Sequence, residues 1–231
     1  MKRPITELKD THKGEDVWII GSGSSMDYID PSFFDNKITI GVNDVYKKYE
    51  HCSYNFMIDN GGINIPRTKI PLKEMFEHIE TKSPSSKVVV SEYDCGVLLR
   101  AKNEHDTTTD YWYFETLDTQ CTPVDYSVLG TDKLIVGASV ITSALHFAAY
   151  LGAKNIILCG CDCGHIDGNS YFKELGPLKG SNLEEKEMTT WLEGINAQNI
   201  ATRDAILDKF DVNIHSLNPF INLGLEGHKY N

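Results

Sequence analysis

An apolar run that ends in a cluster of glycines and hydroxyls is the most constraining feature of this sequence. The run at 17–20, Val-Trp-Ile-Ile, is followed directly by Gly21-Ser22-Gly23-Ser24-Ser25. Four β-prone residues without polar alternation are typical of a parallel strand buried on both faces, and the glycines allow a sharp turn at its carboxyl end. In an open α/β sheet, backbone amides at such a turn bind phosphate groups. The third glycine of the full dinucleotide fingerprint is missing, so an ordinary strand-to-helix turn is the alternative.

The rest of the chain alternates predicted strands and helices. The apolar, Ala-rich segment 140–151 has helical spacing and predicts a short helix packed flat on a sheet, with Gly152 ending it. A longer helix is predicted over 183–210, where Gly194 marks a break or a helix start. This alternation predicts an α/β fold, a Rossmann-like, doubly wound and mostly parallel sheet. The predicted strands are 17–20, 37–42, 54–58, 87–90, 156–161 and 212–215.

A single domain is predicted for residues 1–231, because no repeat, low-complexity tract or linker divides the chain. The middle part, 60–132, is less regular and predicts an insertion of strands and loops over the edge of the sheet. It contains the aromatic cluster 111–114, Tyr-Trp-Tyr-Phe, whose rings either form a binding surface or fill the core.

The charge balance narrows the classes of partner. The 231 residues carry 22 Lys and Arg against 33 Asp and Glu, a formal net charge of -11. A surface that tracks nucleic acid needs clustered basic residues, so nucleic acid is not an expected partner, and an anionic membrane surface is disfavoured in the same way.

No apolar run approaches the roughly 20 residues that span a bilayer, and the first residues lack a signal-peptide core. We therefore expect a cytoplasmic protein without a transmembrane segment.

The six cysteines are expected to be reduced thiols. Cys159, Cys161 and Cys163 lie within one apolar strand and its exit, where a disulfide framework does not fit. These cysteines alternate along the chain and His165 follows at the same spacing, which suggests a zinc site as one interpretation. Zinc sites, however, usually use C-x-x-C spacing so that the turn can wrap the ion. Buried small apolar side chains are the favoured interpretation, and no metal ligand is assigned.

Polar residues follow several of the predicted strands, at the edge where an open α/β sheet binds its ligands. Asn43 and Asp59 follow the second and third strands, with a helix cap and a turn as the respective alternatives. The segment Gly137-Ala138-Ser139 opens the Ala-rich helix, so that Ser139 caps it while small residues admit a ligand. Asp162 emerges at the end of the next strand, where it either meets a ligand or caps the following turn. These groups, with Gly21 to Ser25, are expected to converge on one edge.

Three stretches carry a resemblance to a known family. They are the segment 19–30 (IIGSGSSMDYID), the segment 41–44 (GVND) and the segment 137–162, which runs from GASV to GCD. In this order they resemble the Campylobacter-type bacterial sialyltransferases. They are equally similar to domain of unknown function 115, found in motility accessory factors and archaeal 6-hydroxymethylpterin diphosphokinases. The resemblance continues at 168–171 and 212–219, whereas the middle of the chain matches poorly.

The resemblance implies a Rossmann-like sheet that holds a CMP-linked sugar and needs no metal for transfer. The glycine loop Gly21 to Ser24 would face the nucleotide phosphate, and Asn43 would contact the cytidine or the donor. Ser139 and its neighbours Gly137 and Ala138 would meet the nucleotide at the start of their helix. Asp162 would lie by the ribose or base. Tyr171 would match a tyrosine that supports the departing phosphate, a task that suits a neutral phenol donor.

The sequence also departs from that family. Ser22 replaces the asparagine of the family's glycine loop, and Gly164 stands where a second tyrosine is expected. The family's general-base histidine falls at Glu193 or Gly194 here. His165 is the best substitute on chemical grounds, because imidazole can take a proton near neutral pH. The remaining candidates for the base are Asp59 and Glu193, while His146 is expected to be a core residue.

Three functions are consistent with these residues. The first is transfer of a sialic-acid-like sugar from a CMP-activated donor to a glycan or other acceptor, with the 60–132 insertion as an acceptor-side lid. The second is a magnesium-dependent diphosphokinase of the pterin type, with Asp59 and Asp162 near the phosphates. The third is a non-catalytic sugar-nucleotide-binding protein. The glycosyltransferase is preferred and requires no cofactor, and by analogy a homo-oligomer is possible.

Two substitutions express these expectations. If the glycine loop cradles a phosphate, Gly23→Val should abolish nucleotide binding and leave the fold intact, because the side chain would occupy the phosphate's space. If Asp162 faces a ligand, Asp162→Asn should weaken binding with near-normal stability.

Overall fold

The computed structural model describes residues 1–58, 71–91, 109–115, 124–163, 171–173 and 185–217, and within these ranges eight strands form one sheet. The strands are β1 (Lys2–Pro4), β2 (Asp16–Ile20), β3 (Ile38–Val42), β4 (Tyr54–Met57), β5 (Lys87–Ser91), β6 (Tyr111–Phe114), β7 (Asn155–Cys159) and β8 (Asn213–Ser216). Their order is β1-β6-β5-β4-β3-β2-β7-β8, and every neighbouring pair is parallel. The predicted α/β, Rossmann-like fold is confirmed.

The order of the strands places a switch point between β2 and β7. From β2 the chain builds β3, β4, β5 and β6 toward one edge, and it then returns to add β7 and β8 on the other side of β2. Ile20 lies between Gly41 of β3 and Cys159 of β7 in the register. In open α/β sheets, ligands bind in the crevice beyond the carboxyl ends of the strands at such a switch point. The glycine loop therefore leaves β2 at the topologically expected place.

Three α-helices occur in the described ranges: α1 (Pro71–Lys82), α2 (Val140–Tyr150) and α3 (Glu185–Lys209). Helix α2 is short and apolar, and its residues Ile141 to Tyr150 are buried, as predicted for a helix packed flat on a sheet. Gly152 follows it with φ +85, the left-handed conformation that ends a helix. The predicted break at Gly194 is wrong, because α3 continues through this exposed glycine. None of these helices is long and apolar enough to cross a membrane.

Helices cover both faces of the sheet. On β4, Phe56 stacks between Phe147 of α2 and Phe114 of β6, with 5.3 Å between ring centroids in each pair. The adjacent Met57 belongs to a second buried cluster with Met75 of α1. Successive strand residues point to opposite faces, so α1 and α2 lie on opposite sides of the sheet. Near-continuous apolar strands such as β2 are a consequence of this double burial.

The middle of the chain differs from the predicted insertion over the sheet edge. Its described residues include α1, β5 and β6, and β6 pairs with both β5 and β1 inside the sheet. Of the aromatic cluster 111–114, Phe114 is fully buried and the other three rings are half-buried. Core packing therefore accounts for Phe114. The lid role of this segment stays a prediction.

The first strand was not predicted, because Lys2-Arg3-Pro4 has no apolar pattern. Its pairing with β6 is reinforced by Arg3, whose guanidinium contacts the Asp110 carboxylate at 2.8 Å. Lys2 places its ammonium 4.0 Å from the centroid of the Tyr113 ring. Short, charged edge strands of this kind resist pairing with other chains.

Candidate functional site

The glycine loop after β2 is hydrogen-bonded to the exit of β7. The Gly21 amide donates to the Cys159 carbonyl at 2.7 Å, and the Gly23 amide donates to the Gly160 carbonyl at 2.8 Å. A Cβ at Gly21 would clash with the Gly160 carbonyl, and one at Gly23 would lie 2.6 Å from the same oxygen and 2.5 Å from the Asp162 carboxylate. Both glycines are therefore required for close packing of the two loops, and their amides are already used. This differs from the expectation that a side chain at Gly23 would occupy ligand space.

Ser22 is the residue of the glycine loop that is open to a ligand. It is half-buried, and neither its amide nor its hydroxyl makes a hydrogen bond in the described structure, while its carbonyl accepts from the Phe172 amide at 3.1 Å. An unpaired amide and a hydroxyl on one residue are suitable donors for a phosphate oxygen. Of the predicted cradle, Ser22 has the groups available for that role.

Asp162 binds the glycine loop. It is 4% exposed, and its carboxylate accepts the Ser25 amide at 2.7 Å, the Ser25 hydroxyl at 2.5 Å and the Ser24 hydroxyl at 3.5 Å. These bonds satisfy donors at the start of the short 3-10 helix Ser24–Tyr28. Asp162 thus binds the helix that follows the glycine loop, while its predicted capping of the turn after it in the chain falls on residues outside the described ranges; Ser24 and Ser25 are engaged by protein.

Tyr171 lies beside the glycine loop. It forms an isolated antiparallel bridge with Gly23, and the next residue, Phe172, is fully buried. The amide of Lys173 in turn donates to both carboxylate oxygens of Asp27 at 3.2 Å. We call residues 171–173 the strap, because three successive residues are bonded to the glycine loop and its helix. The strap brings the tyrosine singled out by the sequence to the switch-point crevice.

The start of α2 reaches the same edge of the sheet through a buried polar network. The Thr142 hydroxyl donates to Asn199 Oδ1 at 3.2 Å, and Asn199 Nδ2 lies 3.8 Å from the Cys163 thiol, one residue beyond Asp162. Thr142 is fully buried and Asn199 is 1% exposed. The network thus connects the first turn of α2, through α3, to the exit of β7. That Gly137 to Ser139 meet a nucleotide stays a prediction.

Protein groups already engage the loop that opens α2. Ser139 is the N-cap, accepting the Ile141 amide at 3.2 Å, as the sequence predicted. The Ala138 amide donates to Gln198 Oε1 at 2.6 Å, and a Cβ at Gly137 would clash with the same oxygen. A ligand that uses the Ala138 amide must therefore displace Gln198. Sequence reasoning missed Gln198, which lies 60 residues away on the polar helix α3.

Asn43 presents an exposed amide side chain after β3. Its φ is +52, a left-handed conformation that asparagine tolerates, and it begins the 3-10 helix Asn43–Lys47. Within the described contacts its side chain makes no hydrogen bond, and the N-cap position is Val42. The N-cap alternative is therefore wrong. Both the donor and the acceptor of this amide are available at the edge to which Ser22 belongs.

The thiols near the site are poor nucleophiles at neutral pH. Cys159 and Cys161 are free and buried, and burial raises the pKa of Cys159 to about 12 and that of Cys161 well above its ordinary value. Cys163 is half-buried, and burial raises its pKa to about 11 against a lowering contribution from Asn199. All three remain protonated near neutrality. This agrees with reduced, structural cysteines.

The structure describes one of the three candidate bases. His165 and Asp59 lie outside the described residues. Glu193 is an exposed residue of α3.

The prediction that His146 is a satisfied core residue is confirmed for its burial but not for both ring nitrogens. His146 is fully buried and its Nδ1 accepts the Ile135 amide at 3.2 Å, but its Nε2 finds no partner in the described structure.

The chain is a Rossmann-like α/β protein. At its switch point, the glycine loop after β2 is hydrogen-bonded to the exit of β7. Comparison with solved structures narrows this to a sialyltransferase-like fold. The chain is similar to the sialyltransferase CstII from Campylobacter jejuni in complex with cytidine-5'-monophosphate, at 17% identity and a TM-score of 0.54, covering 93% of this chain and 85% of that one. It is also similar to CstII in complex with CMP-3FNeuAc, at 15% identity and a TM-score of 0.51, covering 91% and 83%. No protein-family model and no curated protein matches the chain, so the likeness to domain of unknown function 115 is not confirmed.

Proposed function

We propose that this protein transfers a sialic-acid-like sugar from a CMP-activated donor to a glycan or other acceptor. One observation carries the proposal: Tyr171 is bridged to Gly23 across the switch point of a sialyltransferase-like fold. The similar CstII structures contain CMP or a CMP-sugar analogue. A neutral phenol held beside a turn with available donors is suited to stabilising a departing phosphate, which supports the proposal.

The available groups divide the chemistry as follows. The Ser22 amide and hydroxyl bind the phosphate of the donor, and the Asn43 amide pairs with the cytidine through its donor and acceptor. The Tyr171 phenol donates a hydrogen bond to the phosphate as negative charge develops on it. Hydrogen-bond donors alone then stabilise the leaving group, so the reaction needs no metal. His165 is the proposed base for the acceptor hydroxyl, with Asp59 as the substitute.

The diphosphokinase alternative is less well supported. It uses carboxylates such as Asp59 and Asp162 near the phosphates and magnesium, but the Asp162 carboxylate binds both the amide and the hydroxyl of Ser25. Metal binding there would release the start of the helix Ser24–Tyr28. A non-catalytic protein would bind the same ligand as the transferase. The two functions are distinguished by whether the donor is turned over.

The test combines binding with turnover. We expect CMP to raise the melting temperature without magnesium, and CMP-N-acetylneuraminic acid to release CMP in the presence of an acceptor. Tyr171→Phe keeps the backbone bridge and should lower kcat by at least tenfold while changing CMP affinity less than threefold. The control is Tyr113→Phe, a half-buried tyrosine on β6 whose hydroxyl makes no hydrogen bond among the described residues. Stabilisation by ATP with magnesium alone would favour the diphosphokinase, and CMP binding without release would favour the binding protein.

A further inference from the structure

A nearly buried ion pair contacts the strap. Lys48 Nζ contacts Asp27 Oδ1 at 2.7 Å, and the Lys48 and Asp27 side chains are only 10% and 11% exposed. Asp27 belongs to the 3-10 helix Ser24–Tyr28 that follows the glycine loop, and Lys48 comes directly after the helix Asn43–Lys47. The pair therefore connects the loops that leave β2 and β3, the two loops that carry Ser22 and Asn43.

The same pair contacts the strap at two successive residues. The Asp27 carboxylate accepts the Lys173 amide through both oxygens at 3.2 Å, and the Lys48 ammonium lies 5.3 Å from the centroid of the Phe172 ring. Together with the Phe172 amide bond to the Ser22 carbonyl, these contacts define the path of the backbone on the carboxyl side of Tyr171.

The carboxylate remains charged at neutral pH. Burial by itself would raise the pKa of Asp27, but the hydrogen bonds from the Lys48 ammonium and the Lys173 amide outweigh it and lower the pKa. A buried ion pair is seldom more stabilising than apolar residues of similar volume, so its presence here calls for another role. A fixed acceptor for one backbone amide is such a role, because the hydrogen bond is directional.

We propose that Asp27 and Lys48 are positioning residues: Lys48 orients the Asp27 carboxylate, and Asp27 holds the Lys173 amide so that Tyr171 stays against the glycine loop. This inference rests on the proposed function, in which Tyr171 acts on the departing phosphate. Neither residue needs to touch the substrate. The expected consequence of losing the acceptor for the Lys173 amide is a lower kcat with little change in the KM for the donor.

Two double variants isolate the positioning bond. Asp27→Asn with Lys48→Met removes both charges but keeps an acceptor oxygen for the Lys173 amide. Asp27→Leu with Lys48→Met removes the same charges at similar side-chain volume and leaves no acceptor. Lys47→Met is the control, since Lys47 pairs with Asp44 at 2.8 Å in the neighbouring helix but is 37% exposed.

The measurements are hydrogen exchange of the Lys173 amide without ligand, CMP affinity, and kcat with CMP-N-acetylneuraminic acid. We expect the Leu variant to exchange at least tenfold faster than the Asn variant and to lose at least tenfold in kcat, while the Asn variant stays within about threefold of the wild type. Equal exchange in the two variants, or different exchange with equal kcat, would overturn the inference. A wild-type protein that neither binds CMP nor releases it from the donor would overturn the proposed function, and the exchange comparison would still decide whether Asp27 holds the strap.

Discussion

The carboxylate of Asp162 accepts both the amide and the hydroxyl of Ser25, at 2.7 and 2.5 Å, and so joins the exit of β7 to the start of the helix after β2. The two residues are 137 positions apart in the chain, and both are buried. The loops after β2 and β7 are therefore bonded to each other through protein groups.

Asp162→Asn should consequently destabilise the fold. The variant keeps one acceptor oxygen but loses the charge-assisted bonds and places an NH2 group against a donor, which is expected to cost about 1–3 kcal/mol in the free energy of unfolding. Asp125→Asn is the matched control, because Asp125 caps the 3-10 helix Tyr126–Val128 through the Ser127 amide in an exposed position. Urea denaturation of both variants provides the comparison. Near-normal stability of Asp162→Asn would restore the interpretation of Asp162 as a ligand-facing residue.

Gly23→Ala should likewise lower stability, whether or not a nucleotide binds. The added Cβ would lie 2.5 Å from the Asp162 carboxylate and 2.6 Å from the Gly160 carbonyl, and relieving such overpacking typically costs about 1–3 kcal/mol. Gly194→Ala provides the opposite control, since a Cβ there meets nothing within 4 Å on the helix α3 and should add about 0.5–1 kcal/mol. Thermal unfolding of the two variants measures the contrast. A Gly23→Ala protein as stable as the wild type would show that the loops separate easily.

The regular parts of the fold were predictable because local pattern and tertiary structure agree there. Residues 17–20 are apolar without alternation because both faces of β2 are covered, and Gly152 ends α2 because a left-handed φ is required there. At β1 the local pattern and the tertiary structure disagree, because Lys2-Arg3-Pro4 is a strand only through its pairing with β6. Gly194 shows the reverse case, in which a helix continues through a residue of low helix propensity.

The site was predictable in its location but only partly in its contacts. Strand ends indicated where Ser22 and Asn43 belong, because parallel strands share one carboxyl edge, whereas Tyr171 was indicated only by the family resemblance at 168–171. Gln198 and Asp27 were missed because their partners, the amides of Ala138 and Lys173, are 60 and 146 residues distant. A backbone amide leaves no signal in the side-chain pattern.

His146 should make the protein sensitive to mild acid. Burial lowers its pKa from 6.5 to about 3, so the folded state keeps the imidazole neutral while the unfolded state takes up a proton below about pH 6.5. The unfolded state then binds more protons between about pH 6.5 and 3, and stability should fall by up to about 1.4 kcal/mol per pH unit across this window.

The variant His146→Asn tests this origin. Asparagine does not titrate, and its Oδ1, bonded to Cγ as Nδ1 is, offers an acceptor to the Ile135 amide. Urea midpoints measured from pH 7.5 to 4.5 should decline less steeply for the variant than for the wild type. Above pH 7, the two proteins should show the same slope of midpoint against pH. Parallel curves would assign the acid sensitivity to other groups.

Gln198 should compete with the nucleotide for the start of α2. Its Oε1 accepts the Ala138 amide at 2.6 Å, so a ligand that uses this donor must first break a hydrogen bond within the protein. Gln198→Ala frees the amide and, by the net value of about 0.5–1.5 kcal/mol for one hydrogen bond, should tighten CMP binding about two- to tenfold.

Calorimetric titration of the variant against the wild type measures the change. The control is Gln198→Glu, which keeps an acceptor at the same place and adds a negative charge that opposes a phosphate. We expect this variant to bind CMP more weakly than the wild type. If both variants bind CMP as the wild type does, the Ala138 amide is a structural donor only, and phosphate recognition must depend on Ser22 and the strap.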